Sequence, residues 1–317
     1  MNNKEKYYQL CLNEPSIPIY SQPWWIDSLV DSKDWNISLV ENDNEIVATL
    51  PYVYQKKYGK IFLSQPLLTQ SLGPWLRSYP GKSSSQISRQ TALMKQLIHN
   101  LPRYDSFNQN FHYSLTNWLP FYWLGFKQTT KYTYVINNVK NLEDVWSNFT
   151  SSYRNKIRKA QKVLVVDNSF GIEDFYPLYK MTFQRQNLDA PLNYNKIKAH
   201  DEGVKKNNKR KIFVAKDNLN NLHSALYLTW DENSSYVHLV GENPKFRKSG
   251  AGILLIWEAL IYTCNELRIN RLDFEGSMLE NVEKVRRDCG AKQIPYFFVT
   301  KTNSVALQLY NCIKTIG

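Results

Sequence analysis

The stretch from Arg247 to Ser277 constrains this chain more than any other. It reads Arg247-Lys248-Ser249-Gly250-Ala251-Gly252, then an apolar helical pattern, then Arg271-Leu-Asp273-Phe-Glu275-Gly-Ser277. A basic turn punctuated by glycine at a helix start is a cradle for a pyrophosphate, because bare N–H groups and the positive end of the helix dipole face the anion. Gly250 and Gly252 let the backbone approach a phosphate closely, and Arg247 adds a charge-assisted bond. The next strand alternates, so Leu272 and Phe274 are expected on one face and Asp273 and Glu275 on the other. A phosphate cradle followed one helix later by two carboxylates suggests an acyl-transfer site: a phosphate-bearing donor and a basic acceptor.

The length of 317 residues is comfortable for two domains. Apolar content of 43% and aromatic content of 14% supply real cores and argue against disorder. The net charge of +12 favours anionic partners without choosing among phosphorylated cofactors, nucleic acid and a membrane surface. Residues 1–138 carry net +4 and the remainder +8, which places the anion site in the C-terminal half. The four cysteines, Cys11, Cys264, Cys289 and Cys312, are scattered without metal-like or redox-like pairing, and Cys264 and Cys312 are expected in the core. The histidines show no metal-ligand spacing, so no metal is expected. The N-terminus has no apolar signal segment, and no run approaches the roughly 18 apolar residues of a membrane span. The expectation is a cytoplasmic protein without an integral membrane segment, with peripheral membrane contact left open.

Residues 1–20 read as a polar lead, followed by a short helix over 22–29, a hairpin of 35–40 with 46–54, and a strand at 60–63. A helix over 87–101, strands at 110–113 and 131–136 and a helix over 119–124 complete a first lobe, 1–138. The second lobe, 139–317, opens with one basic helix over 142–163. A strand at 163–166, helices over 174–187 and 195–206, and strands at 211–216, 225–230 and 236–240 come next. After the glycine turn follow a helix over 252–267, the strand 271–275, a helix over 280–289, a strand at 295–301 and a closing helix over 304–316.

The element order of the second lobe is that of a GNAT-type N-acyltransferase domain, and the first lobe repeats it loosely. With Tyr153-Arg154-Asn-Lys156-Ile-Arg158-Lys159 on the linking helix, Arg247 to Gly252, Asp273-Phe-Glu275-Gly-Ser277 and Gly290-Ala-Lys-Gln-Ile-Pro295-Tyr296, the chain resembles the Fem-like (FemAB-type) branch of the GNAT superfamily. The resemblance covers essentially the whole chain and implies an α/β fold of tandem GNAT-like lobes, with mixed sheets flanked by helices. It implies transfer of an acyl group from acyl-CoA, such as acetyl-CoA, to an amine, an amino sugar or amino acid, by direct attack in a ternary complex, and a role in building the cell envelope. Founding Fem proteins add amino acids to peptidoglycan bridges, so an aminoacyl-tRNA-dependent transferase is the alternative. Fem proteins that use tRNA commonly carry a long helical arm, and this sequence has no heptad-rich insertion of that kind. A binding protein that kept the fold and lost the chemistry is the third reading.

Each candidate residue has a plainer reading beside the functional one. Asp273 and Glu275 fit the solvated face of an edge strand, or the site that takes the acceptor's proton, with Glu275 preferred. Ser277 would bind the acceptor. Arg154 and Arg158 fit a solvated basic face; in the Fem-like reading they border the cleft with Tyr153 and meet substrate phosphates. His238 fits a satisfied core histidine or a cleft residue, and Glu242 a plain turn or the cleft. Tyr296 fits an aromatic packed in a strand; in the GNAT reading it protonates the leaving thiolate.

Overall fold

The structure, a computed structural model, describes residues 1–276 and 278–309. It divides into two compact units: Met1–Lys131 joined by the chain from Pro295 onward, and Tyr132–Ile294. This differs from a single cut after residue 138, because the last strand returns to the first unit.

In the first unit, residues 3–13 are not a polar lead but helix α1 (Asn3–Asn13), whose Asn2 cap accepts from Glu5 N–H while the Glu5 carboxylate accepts from Asn2 N–H. Helix α2 (Pro23–Asp27) starts with proline, where no N–H is needed. Strands β1 (Trp35–Asn42) and β2 (Glu45–Lys57) form the expected hairpin, and β3 (Lys60–Ser64) pairs antiparallel with β2. The two-residue β4 (Trp75–Leu76) also pairs with β2, and β5 (Ser106–Asn110) runs parallel to β3. Between them α3 (Ser83–His99) buries Leu93, Met94, Leu97 and Ile98, a helical stripe, in a core shared with β2, β5 and α4 (Leu119–Trp123).

The second unit has the strand order β6 (Lys127–Asn137), β11 (Arg271–Asp273), β10 (Ser235–Glu242), β9 (Leu222–Trp230), β8 (Arg210–Lys216), β7 (Val165–Asp167). Only the pair β10 and β11 is parallel; the others are antiparallel. Along β9, Leu226 and Leu228 enter the core with helix α9 (Ala251–Asn265), while Tyr227 between them meets Phe175 of α7 (Ile172–Gln184). The sheet is therefore covered on both faces, which is why β9 reads as a nearly unbroken apolar run. Helix α8 (Tyr194–Lys206) packs beside α7, and α10 (Glu280–Asp288) follows β11.

The single helix expected over 142–163 is two: α5 (Leu142–Asn148) and α6 (Ser151–Ala160). Phe149 takes extended backbone at the break and is buried edge-on to Trp257 of α9 at 5.8 Å. Tertiary burial of one aromatic thus outweighs a continuous helical pattern. Helix α6 buries the stripe Tyr153, Ile157 and Ala160, and its cations fill the remaining face. Among the described cysteines Cys289 is fully buried, and burial raises its pKa, while Cys264 is partly buried against the same core. Cys312 and most of the expected closing helix lie outside the described residues. The last strand, β12 (Lys292–Thr302), pairs antiparallel with β5, which carries it into the first unit.

Candidate functional site

The parallel ladder of β10 and β11 is two pairs long, Ser235 with Leu272 and Tyr236 with Asp273. Just beyond it, the β9–β10 register skips His238 in a bulge between Val237 and Leu239. A bulge re-aims its side chain. Val237 enters the core below α9, whereas the His238 ring lies edge-on to Tyr227 on the α7 face, centroids 5.8 Å apart.

Strand β11 ends at Asp273, so the alternation expected to place Asp273 beside Glu275 stops there. Glu275 and Gly276 take left-handed backbone, φ 58° and 71°. A non-glycine residue held there costs of order 1–3 kcal/mol and needs a brace. Asp273 supplies it: its Oδ1 accepts from the Glu275 N–H at 2.8 Å and from the Thr133 hydroxyl at 2.6 Å. Asp273 is buried, and that burial pushes its carboxyl up to about 6 against the pull of those two donors.

The turn aims Glu275 at His238. Glu275 Oε1 lies 2.8 Å from His238 Nδ1, and His238 Nε2 lies 3.2 Å from Nε2 of His200 on α8. An ionised carboxylate only accepts, so Nδ1 of His238 carries its proton. One proton lies between the two Nε2 atoms, donated by one ring and accepted by the other. Burial, and next the neighbouring His238, hold the His200 pKa well below its usual 6.5. The His238 side chain is 1% exposed and that of Glu275 13%, so Glu275 is the end of this relay that solvent reaches. One residue from His200, Asp201 forks onto Arg210 at 2.8 and 3.1 Å, pairing the buried charge.

Sequence reasoning missed His200. The signal was present: Ile197, His200, Asp201 and Val204 occupy the buried stripe of α8, so two polar residues stand where apolar ones are the rule.

At the carboxyl end of β10, residues Pro244–Ser249 form a 3-10 turn capped by Asn243, and α9 starts at Ala251. Gly250 has φ 81°, and a Cβ there would stand 3.2 Å from the Lys156 carbonyl of α6. Its glycine is therefore required by the fold itself. At Gly252 a Cβ would meet only Ser224 Oγ at 3.9 Å, so this glycine leaves room for something else. Ala251 N–H turns back to Ser249 Oγ at 3.3 Å, while the Arg247 and Lys248 side chains are exposed. The donor set, amides at a helix start with two cations and a serine, fits a phosphate.

The other candidates are placed as follows. Arg154 Nη1 donates to the Ser147 carbonyl at 2.8 Å and to that of Phe149, closing the end of α5. Arg158 lies over the Trp146 ring at 5.4 Å and Lys156 over that of Tyr153 at 5.0 Å. Tyr153 is buried in the core of the second unit, and burial raises its phenol to about 12. Glu242 pairs with Arg185 at 2.9 Å and stands 3.9 Å from Arg247. Tyr296 is buried on β12, in the first unit. Ser277 lies outside the described residues. Among the described residues, no three His, Cys, Asp or Glu side chains form a metal site, and no helix is long and apolar enough to cross a membrane.

No family model and no curated protein matches the chain. Solved structures do. FemX is 13% identical with a TM-score of 0.69, over 99% of this chain and 98% of that one. L-PGS from Bacillus licheniformis is 10% identical with a TM-score of 0.54, over 99% and 96%. A tandem GNAT protein from the clavulanic acid biosynthesis pathway is 11% identical with a TM-score of 0.52, over 95% and 94%. At these identities the likeness is one of fold: this chain has the Fem-like tandem GNAT fold, a mixed α/β architecture.

Proposed function

We propose that this Fem-like protein is an N-acyltransferase whose base is Glu275, braced by His238 and Asp273. The observation that carries the reading is positional. Strands β10 and β11 are parallel neighbours, the basic glycine turn follows the carboxyl end of one, and Glu275 follows the carboxyl end of the other. Ligands of α/β sheets gather in the crevice outside such ends.

In this reading the acyl donor is an acyl-CoA. Arg247, Lys248, Ser249 and the amides from Gly250 to Gly252 hold its pyrophosphate, with Ala251 opening the helix. The acceptor is an amine on an amino sugar or an amino acid. Its nitrogen attacks the acyl carbon, the bond to the donor's leaving group breaks as the new C–N bond holds, and the Glu275 carboxylate takes the proton lost by nitrogen. Proton transfer of this kind contributes about 10²–10⁴ in rate. His238 touches the carboxylate from its buried side, so it orients Glu275 rather than meeting substrate. The thioester is already activated, and the site needs only to position both partners and remove one proton. No step is assigned to Tyr296.

An aminoacyl-tRNA donor is the second reading. It is favoured by the exposed Lys159 on α6 and Lys162 just after it, with the Lys156 carbonyl of the same helix adjoining Gly250.

Calorimetric titration with acetyl-CoA beside the same titration with aminoacyl-tRNA separates the two. Micromolar coenzyme binding that Arg247→Ala abolishes supports the first; salt-sensitive tRNA binding without coenzyme binding replaces it with the second. Glu275→Gln is expected to lower kcat about 10²-fold or more while leaving donor binding intact; unchanged turnover removes Glu275 from the chemistry.

A further inference from the structure

From residue 46 to residue 131 the chain carries ten Lys or Arg and one acidic residue, Asp105. The first unit's other acidic side chains among the described residues all precede residue 46. The fold concentrates part of this charge at one end of its sheet. The β2–β3 turn spans Lys57 to Lys60. Strand β5 runs parallel to β3, with Phe62 opposite Ser106, so it starts at that end, just after Arg103. Strand β12 is antiparallel to β5, with Thr302 opposite Ser106, so it ends there with Lys301. The Lys301 ammonium donates to the Leu124 carbonyl at 2.7 Å and ties the end of α4 to the same place.

Large apolar side chains stand exposed among these cations. Tyr58, between Lys57 and Gly59 at the tip of the turn, is 100% exposed. On α4, Tyr122 and Trp123 are 59% and 54% exposed, and the Lys95 ammonium lies 5.2 Å from the Trp123 ring. Lys127 follows two residues after Gly125 and is exposed. Asp105 is answered by Lys60 at 3.3 Å, and the other acids of this end, Asp31 and Asp34, precede β1 at the edge of the sheet.

We propose that this end of the first unit is a docking surface for an anionic lipid bilayer. Tyr and Trp are the side chains that settle at the headgroup level, with an apolar body and a polar tip. Lysines near an anionic leaflet contribute about 1 kcal/mol each, a factor of roughly five in affinity. A hairpin tip led by one tyrosine inserts into a soft surface. A nucleic-acid strand instead asks for a groove of successive stacking platforms and for arginine, and here lysines predominate. The surface belongs to the first unit and does not depend on the acyltransfer chemistry above.

The test is co-sedimentation of the full chain with vesicles of phosphatidylcholine alone and of phosphatidylcholine mixed with phosphatidylglycerol, across a salt series. Binding only to the anionic vesicles, weakened by salt, is expected. Tyr58→Ser with Trp123→Ser, and separately Lys57→Ala with Lys127→Ala, each lower it, the lysine pair by about 25-fold from a factor of five per residue. Lys82→Glu, at an exposed cation at the far end of α3 from Lys95, lowers it far less than the lysine pair. Circular dichroism establishes that each variant is folded. No binding to anionic vesicles overturns the proposal, as does equal binding by wild type and both double variants. Binding of single-stranded RNA that the same variants abolish, without vesicle binding, overturns it in favour of a nucleic-acid surface.

Discussion

Replacing Asp273 by Asn tests the turn that presents Glu275. In the native protein burial raises the Asp273 carboxyl from 3.8 to about 6, although Thr133 and the Glu275 N–H both donate to it. A group whose pKa is raised on folding favours its protonated form in the fold. Its stabilising contribution is complete below pH 3.8 and is lost as pH rises through about 6. A shift of about 2.2 units at 1.36 kcal/mol each makes that loss about 3 kcal/mol. Asn keeps the acceptor oxygen and never ionises. The stability of Asp273→Asn minus that of the native protein is therefore expected to grow by most of this, about 2.4 kcal/mol, between pH 4 and pH 7. Urea denaturation of both proteins at a series of pH values measures it. His200 and the other titrating groups move in both proteins and largely cancel, and a constant offset from the new amide does not alter the slope. A difference that stays flat with pH refutes the assignment of Asp273 as a buried carboxylate ionised near neutrality.

Gly250→Ala is expected to destabilise by about 1–3 kcal/mol, because φ is 81° and the added methyl crowds the Lys156 carbonyl; Gly252→Ala leaves thermal stability nearly unchanged and weakens donor binding, and equal melting points for the two variants would reject the distinction. His200 is held neutral in the fold, its pKa depressed below 6.5, so stability falls as pH drops below that value by up to about 1.4 kcal/mol per unit. His200→Gln should flatten this acid limb in denaturation curves taken from pH 7.5 down to 5.5, and an unaltered limb would place the loss elsewhere.

Much of the second unit was legible because its elements obey local rules. Gly250 sits where a left-handed residue must start α9, and the α8 and α9 helices follow apolar spacing to within two residues. The break at Phe149 was not legible, since the helical pattern continues through it and only the Trp257 ring makes extended backbone preferable. The capped helix α1 carries its signal in Asn2 and Glu5, a capping box, although its residues are mostly polar.

The sequence by itself determined the order of the elements, the basic glycine turn at a helix start and the carboxylates after the next strand, because propensity, glycine geometry and period act over a few residues. Tertiary structure alone decided what those carboxylates do. Asp273 and Glu275 are two apart, yet one is buried and braces the other, because β11 stops and the chain turns left-handed. His238 and His200 are 38 residues apart, and the bulge in β10 and the packing of α8 bring their rings together behind Glu275. Hydrogen bonds and desolvation depend on distance in space, and no spacing along a chain encodes that distance.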